Sequence, residues 1–201
     1  MLKATKYLWT VSLCVFLFVV GIAIADSATL SNSIIRLHIV ANSDSQKDQK
    51  QKILVRDTVL SMLTDEINVC ADKSAAMQWL NDNLSRIEEY ANETLTKIGS
   101  PYKAKIRLQK KEFGTREYDT FTLPAGLYDS LCVEIGEAKG KNWWCVVFPG
   151  LCTTCGDVKE AAVVSGMDDD LVGTICNEEK YEIRFFLVDC IGKLINLLHF
   201  S

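Results

Sequence analysis

Hydrophobic and polar residues alternate, or recur with a helical period, along most of this chain. Residues 34–40 alternate and are rich in β-branched side chains, which predicts a strand. The apolar face of this strand is formed by Ile35, Leu37 and Ile39. His38 falls on the opposite face, where we expect an ordinary, partly exposed histidine. The short polar side chains of residues 41–45 suit a turn and the cap of a following helix.

Two long segments with a helical period come next. Residues 46–69 place apolar side chains three to four positions apart on one face, and the polar first turns, through Lys52, are expected to be solvated. Residues 74–98 keep the same period. Gly99 is a typical helix stop, and Pro101 cannot continue a helix. We therefore predict two long helices after the first strand.

The second half of the chain is mostly strand-like. Residues 102–109 alternate, with lysine and arginine on one side, which indicates a strand with one wet face. Further strands are predicted at residues 118–123, 127–135 and 143–148. Residues 181–200 begin as a strand and end as an apolar helix, whereas the acidic stretch 153–180 is predicted to be a loop.

Long helices segregated from an apparent antiparallel meander indicate an α+β fold. The expected order is an N-terminal signal segment, a strand, two long helices, a mainly antiparallel sheet and a C-terminal helix.

The first 25 residues have the layout of a secretory signal. Lys3 and Lys6 form a positive start, an uncharged apolar run follows, and Ala23-Ile24-Ala25 is the small-x-small pattern that signal peptidase accepts. The apolar run of about 18 residues is also near the minimum that spans a bilayer, so a retained membrane anchor is the alternative. In either case we expect residues 26–201 to form one domain in an extracytoplasmic space.

Charge argues against nucleic acid as a partner. The formal net charge is −4, and no basic block follows the signal segment. Binding to a phosphate backbone needs clustered lysine and arginine, as does a purely electrostatic hold on anionic lipid.

Seven cysteines follow the signal segment, so at least one has no partner within the chain. Cys145 and Cys152 flank the turn at Pro149 and are the candidates for a structural disulfide, where geometry permits it. Cys152 and Cys155 have CxxC spacing. That pair lacks the βαβ context of a redox motif and a second close pair for zinc, so we predict no metal site.

Nucleophilic catalysis finds little support in the residues. The histidines are His38 and His199, and nothing in the sequence places either beside a cysteine. We therefore assign no catalytic residue. The adjacent Trp143 and Trp144 point to opposite faces of a strand, so one can enter the core while the other serves as an anchor in a protein contact.

Four blocks, in order and across nearly the whole chain, resemble those of the stage II sporulation protein R family. The blocks are residues 35–45 with 48–49 and 56–57, residues 123–128 with 133–136, residues 140–152, and residues 184–188. Gly150 departs from the family pattern, in which a second proline is common. Cys155 looks like an addition, so we build no function on the CxxC spacing.

The resemblance implies an exported trigger in an endospore-forming bacterium. Such proteins are made in the forespore and exported into the space between the forespore and mother-cell membranes. There they signal to a membrane-embedded aspartic protease, which removes the pro-sequence of the mother-cell factor pro-sigma-E. The resemblance implies a partner surface and no cofactor, and the trigger itself is no protease.

Candidate contact residues for that partner are Asn42, Asp44, Asn142 and one of Trp143 or Trp144. The competing interpretation is that Asn42 and Asp44 only cap and turn the chain. A competing hypothesis for the whole protein is an extracytoplasmic cysteine-dependent hydrolase or thiol enzyme that acts on the cell envelope.

Overall fold

The computed structural model describes residues 2–67, 69–118, 121–149, 172–173 and 176. Its elements are α1 (Leu2–Ser33), β1 (Ile35–Val40), α2 (Gln46–Ile67), α3 (Lys73–Lys97), β2 (Ala104–Phe113), β3 (Arg116–Glu117), β4 (Thr122–Leu123), β5 (Gly126–Ile135) and β6 (Asn142–Phe148). The expected loop at 153–180 falls largely, and the strand and helix at 181–200 wholly, outside the described residues.

The main sheet has the strand order β2-β5-β1-β6. Both outer pairs are antiparallel, and the central pair of β1 and β5 is parallel. The α+β class and the mainly antiparallel sheet are therefore confirmed. A simple meander is wrong, because the chain passes through α2, α3 and β2 before β5 returns beside β1 in the same direction.

A separate two-stranded sheet stands where one strand was expected at residues 118–123. Arg116 pairs with Leu123 and Glu117 pairs with Thr122 in an antiparallel hairpin. The reversal between the two short strands, which alternation alone does not reveal, brings Tyr118 and Phe121 together as stacked rings.

Helices α2 and α3 cover one face of the main sheet. The apolar positions with a helical period form this first core together with the apolar face of β1. Its buried helical members are Val55, Val59, Leu63, Ile67, Ala76, Leu80, Ile87, Ala91 and Leu95. Gly99 ends α3 with φ +66°, so the predicted helix stop is confirmed.

A second core lies on the opposite face of the sheet. It contains Leu30, Ile34, Phe113, Phe121, Leu123, Tyr128, Val146 and Val172. Every residue of β1 is consequently buried, on both faces. The expectation that His38 is partly exposed is wrong, since only 2% of its surface is accessible.

Helix α1 continues through the predicted end of the signal segment. It is uninterrupted from Leu2 to Ser33, and its last turns pack Leu30 into the second core. Its span Thr5–Ser33 is long and apolar enough to cross a membrane, with a mean hydropathy of 2.6. An N-terminal apolar helix of this kind fits a signal or anchor segment.

Candidate partner-binding surface

The loop between β1 and α2 is held by side chains that bond back to the backbone and to each other. The Ser45 hydroxyl accepts a hydrogen bond from the Asp48 amide at 3.1 Å, which is the N-cap predicted for α2. Asn42 and Ser43 donate to the Asp48 carboxylate at 2.9 and 2.6 Å. These two donors lower the pKa of Asp48, because they stabilise its charged form.

The loop between β5 and β6 is fastened to this first loop. The side-chain oxygen of Asn42 accepts from the Glu137 amide at 3.0 Å, and Asp44 accepts from the Lys141 amide at 2.6 Å. The backbone oxygens of Ala41 and Asn42 also accept amides from this second loop. We call residues 41–45 together with residues 136–141 the loop clamp.

The first turns of α2 also form hydrogen bonds with the clamp. Lys52 donates to the Gln49 side chain at 2.7 Å and to the Lys141 carbonyl at 2.9 Å. Asp48 and Lys52 are buried, whereas Gln46, Lys47 and Lys50 are exposed, so the expectation of solvated first turns holds for one side of the helix and fails for the other. Polar residues are buried here because each one has a bonding partner in the clamp.

Two glycines let the loops approach so closely. Gly136 has φ +61°, and a methyl group on it would collide with the Asn42 side chain. A methyl group on Gly140 would collide with the Ser43 carbonyl. The polar run after β1 and the glycines after β5, which are distant in sequence, are therefore parts of one structure.

Asn42 and Asp44 thus have structural roles that match the capping-and-turning interpretation. Asn42 is half-buried with both side-chain ends bonded, whereas Asp44 is exposed and its second carboxylate oxygen has no protein partner among the described residues. Their contact with a partner protein stays a prediction. The clamp positions the start of β6, where the other candidates lie.

The two tryptophans point to opposite faces of the sheet, as predicted. Trp143 packs against the first core, and the Arg56 guanidinium lies 5.0 Å from its ring centre. Arg56 is held by an ion pair with Asp57 at 2.6 Å. Trp143 is half-buried, so part of its ring is available beside this charged pair on α2.

Trp144 lies on the second face and stacks on His38. The two rings are 3.8 Å apart and nearly parallel, at 7°. His38 Nε2 lies 2.8 Å from the Asn142 oxygen, and Lys111 Nζ lies 2.9 Å from Nδ1. Because an ammonium group can only donate, Nδ1 accepts from Lys111 and Nε2 carries the proton donated to Asn142.

His38 is held neutral by this arrangement. Burial lowers its pKa to about 4, and the positive charge of Lys111 acts in the same direction. Only the neutral tautomer with its proton on Nε2 makes both hydrogen bonds. His38 therefore fixes the exposed Asn142 and the half-buried Trp144 in one orientation.

A buried arginine supports the same face. Arg36 lies 4.0 Å from the ring centre of Phe113 and 4.9 Å from that of Tyr128, and it donates to the Tyr118 hydroxyl at 2.9 Å. Its Nε and Nη1 have no hydrogen-bond partner among the described residues. Burial lowers the pKa of Arg36, and the aromatic rings offset part of the cost of enclosing its charge.

The cysteines that the structure describes give no evidence of a catalytic pair with a histidine. Cys132 lies across from His38 in the register of β1 and β5, a proximity that the sequence did not reveal. Both nitrogens of His38 are occupied by Lys111 and Asn142, and Cys132 is buried and accepts from Gln109 at 3.3 Å. Cys145 is disulfide-bonded. Cys152 lies outside the described residues, so the pairing of Cys145 with Cys152 stays a prediction.

Sequence reasoning missed three residues that support or border this surface: the buried His38, Lys111 and Arg56. A signal existed for His38, since alternation places Arg36 and His38 together on one face of β1. No pattern pointed to Lys111, because its partner is 73 positions away in the chain. Within the described residues, no group of three or more His, Cys, Asp and Glu side chains could hold a metal ion.

Comparisons with known proteins agree on one family. Residues 31–157 match the family described as Stage II sporulation protein R. The chain is 30% identical over 223 aligned positions to Stage II sporulation protein R of Bacillus subtilis (strain 168), covering 93% of this chain and 99% of that protein. No solved structure matches the chain.

Proposed function

Because the chain belongs to the stage II sporulation protein R family, we propose that it is an exported trigger of sigma-factor processing. In this role it is made in the forespore and reaches the space between the forespore and mother-cell membranes. There it activates a membrane-embedded aspartic protease of the mother cell, which removes the pro-sequence of pro-sigma-E. The protein itself acts by binding, without a catalytic step.

The observation that carries the proposal is the 30% identity to the Bacillus subtilis protein over 93% of this chain, together with the apolar helix α1. Such a helix directs a chain to the membrane, which a cytosolic protein of sporulation would not require. This helix supports the proposed role of a ligand presented outside the compartment of synthesis.

The rigid start of β6 supports a binding role. His38 holds Asn142 and Trp144, and the first core and Arg56 hold Trp143 on the other face. Tryptophan held in this way contributes strongly to protein contacts, since little side-chain entropy is lost on binding. We propose that this surface favours the active state of the protease and shifts its population.

The test is reconstitution in a host that does not sporulate. The chain is co-expressed with the protease and the pro-protein, and processing is followed by the size of the pro-protein. We expect processing with the full chain and none with residues 26–201 kept in the cytosol. A protease variant lacking a catalytic aspartate is the control for host proteases. Processing by the cytosolic form would contradict the proposal.

The competing hypothesis of a cysteine-dependent enzyme is tested in the same assay. Cys132 is the cysteine that the sheet register places opposite a histidine. We expect Cys132→Ser to leave processing unchanged, because its sulfur is buried and has no histidine base. Loss of processing by a Cys132→Ser protein of unchanged thermal stability would favour the enzyme hypothesis.

A further inference from the structure

Strand β2 is an edge of the main sheet, and its two halves differ in how their outward backbone groups are bonded. At the beginning of the strand, side chains of α3 bond to the outward backbone groups. Asn92 accepts from the Ala104 amide at 2.9 Å and donates to the Ala104 carbonyl at 3.0 Å. Glu88 accepts from the Ile106 amide at 2.9 Å. This half of the edge is closed to any further strand.

Within the part of the chain that the structure describes, the second half of β2 has no strand along its outer side. Pairing with β5 continues without a register shift to Phe113, so outward backbone groups recur at every second residue after Ile106. These groups belong to Leu108, Lys110 and Glu112. Within the described residues no side chain bonds to any of the three, and Lys110 and Glu112 are exposed.

Charge restricts what can pair with this edge. Strand β2 carries four cations against a single acidic residue, Glu112. Arg107 pairs with Glu134 and Lys111 bonds to His38. Lys105 and Lys110 are exposed and have no charged partner among the described residues. Two copies of β2 paired edge to edge would bring like charges together, which destabilises a sheet. An acidic strand would instead place carboxylates beside these cations. The same lysines thus oppose self-association and favour an acidic partner.

We propose that the segment from Leu108 to Glu112, the open edge, binds an extended acidic segment of the partner protein by adding a strand to the sheet. Backbone bonds to Leu108, Lys110 and Glu112 supply affinity, and the cations of β2 supply selectivity. The inference rests on the proposed role as a ligand of the membrane protease. Family membership alone does not specify this chemistry of contact, which is backbone pairing with an acidic strand.

Substitution with proline tests the open edge directly. Lys110→Pro removes the outward amide hydrogen, while the bonds of β2 to β5 run through its neighbours. Lys110→Ala keeps that hydrogen and removes the charge. In the reconstituted assay we expect Lys110→Pro to lower processing by about tenfold, and Lys110→Ala by about two- to threefold. Normal processing with folded Lys110→Pro would overturn the inference while the proposed function stands.

Failure of the full chain to trigger processing is a different result, which overturns the proposed function and this inference with it. A second measurement, on the natural protein, tests the inference even when the proline variant does not fold. Amide hydrogen exchange of the full-length protein should be fast at Leu108, Lys110 and Glu112 and slow at Ala104 and Ile106. The first three should slow on addition of the membrane-embedded protease. Unchanged exchange at those three in the complex would overturn the inference.

Discussion

At the scale of single residues, Gly136 lets the two loops of the clamp approach each other. Its φ of +61° and its contact with Asn42 leave no room for a side chain. We expect Gly136→Ala to lower the free energy of unfolding by about 1–3 kcal/mol, measured by urea denaturation. Gly114→Ala is the matched control, since nothing lies within 4 Å of the added methyl group. Equal stability of both variants would contradict the clamp.

His38 predicts a dependence of stability on pH. Its pKa is about 4 in the folded protein, below the ordinary 6.5, so the unfolded chain binds an extra proton between these values. Stability contributed by neutral His38 is therefore present above pH 6.5 and is lost as the pH falls toward 4.

Glutamine removes this titration while it can still accept from Lys111 and donate to Asn142. Between pH 6.5 and 4 we expect the free energy of unfolding to fall by about 1–3 kcal/mol more in the natural protein than in His38→Gln. The measurement is urea unfolding at a series of pH values. Parallel curves for the two proteins would show that His38 does not titrate in this range.

Whether the role of a residue could be predicted depends on how far along the chain its hydrogen-bond partner lies. The capping role of Ser45 was predictable, because its bond lies within one turn of the chain. The burial of Lys52 was not, since its polar side chain is satisfied by a carbonyl 89 positions away. Sequence patterns report local periodicity and leave such distant pairs unspecified.

At the scale of elements, the end of α1 belongs to the folded domain. Leu30 and Ile34 are fully buried beside Phe113 and Tyr128. A chain that begins at Asp26 keeps both residues, whereas one that begins at Ile35 loses them. We expect the shorter chain to be less stable by about 3–6 kcal/mol in chemical denaturation, from two lost aliphatic side chains.

Point variants separate this effect from shortening. In the chain beginning at Asp26, Leu30→Ala should cost about 2–4 kcal/mol. Asn32→Ala, at an exposed position of the same helix, should cost little. A small effect of Leu30→Ala would indicate that α1 does not pack on the sheet in solution.

Periodicity predicted α2 and α3 almost to their ends, and β1, β5 and β6 within one residue. It failed for β1 in one respect, because alternation identified the apolar face and suggested that the other was wet. Arg36 and His38 on that face are enclosed by aromatic rings from β2, β5 and β6. Polar residue type alone therefore underestimated burial.

At the scale of the whole molecule, the exposed side of α1 predicts membrane association. Tyr7, Trp9 and Phe18 are more than two-thirds exposed on a helix that is apolar all round. Made in a cell-free system with vesicles of neutral phosphatidylcholine, the intact chain should stay with the vesicles through a high-salt wash. Residues 26–201 should remain in solution. Release of the intact chain by salt would contradict insertion.

The fold class was predictable because helices and strands occupy separate stretches of the chain. Strand order was not, since the parallel pairing of β1 with β5 joins segments about 95 residues apart. Residue patterns define the elements, and packing between distant faces decides which strands become neighbours.

Helix α1 runs into the domain without a break, and this limits how far the sheet can lie from the membrane. From Asp26 to Ser33 the helix rises about 11 Å. As long as the N-terminal segment remains attached and inserted, the sheet stays within that distance of the lipid headgroups and turns whenever the helix turns. Under the proposed function, a protease in the facing membrane would then have to extend across the gap itself, because the domain follows its own membrane on a short, uninterrupted helix.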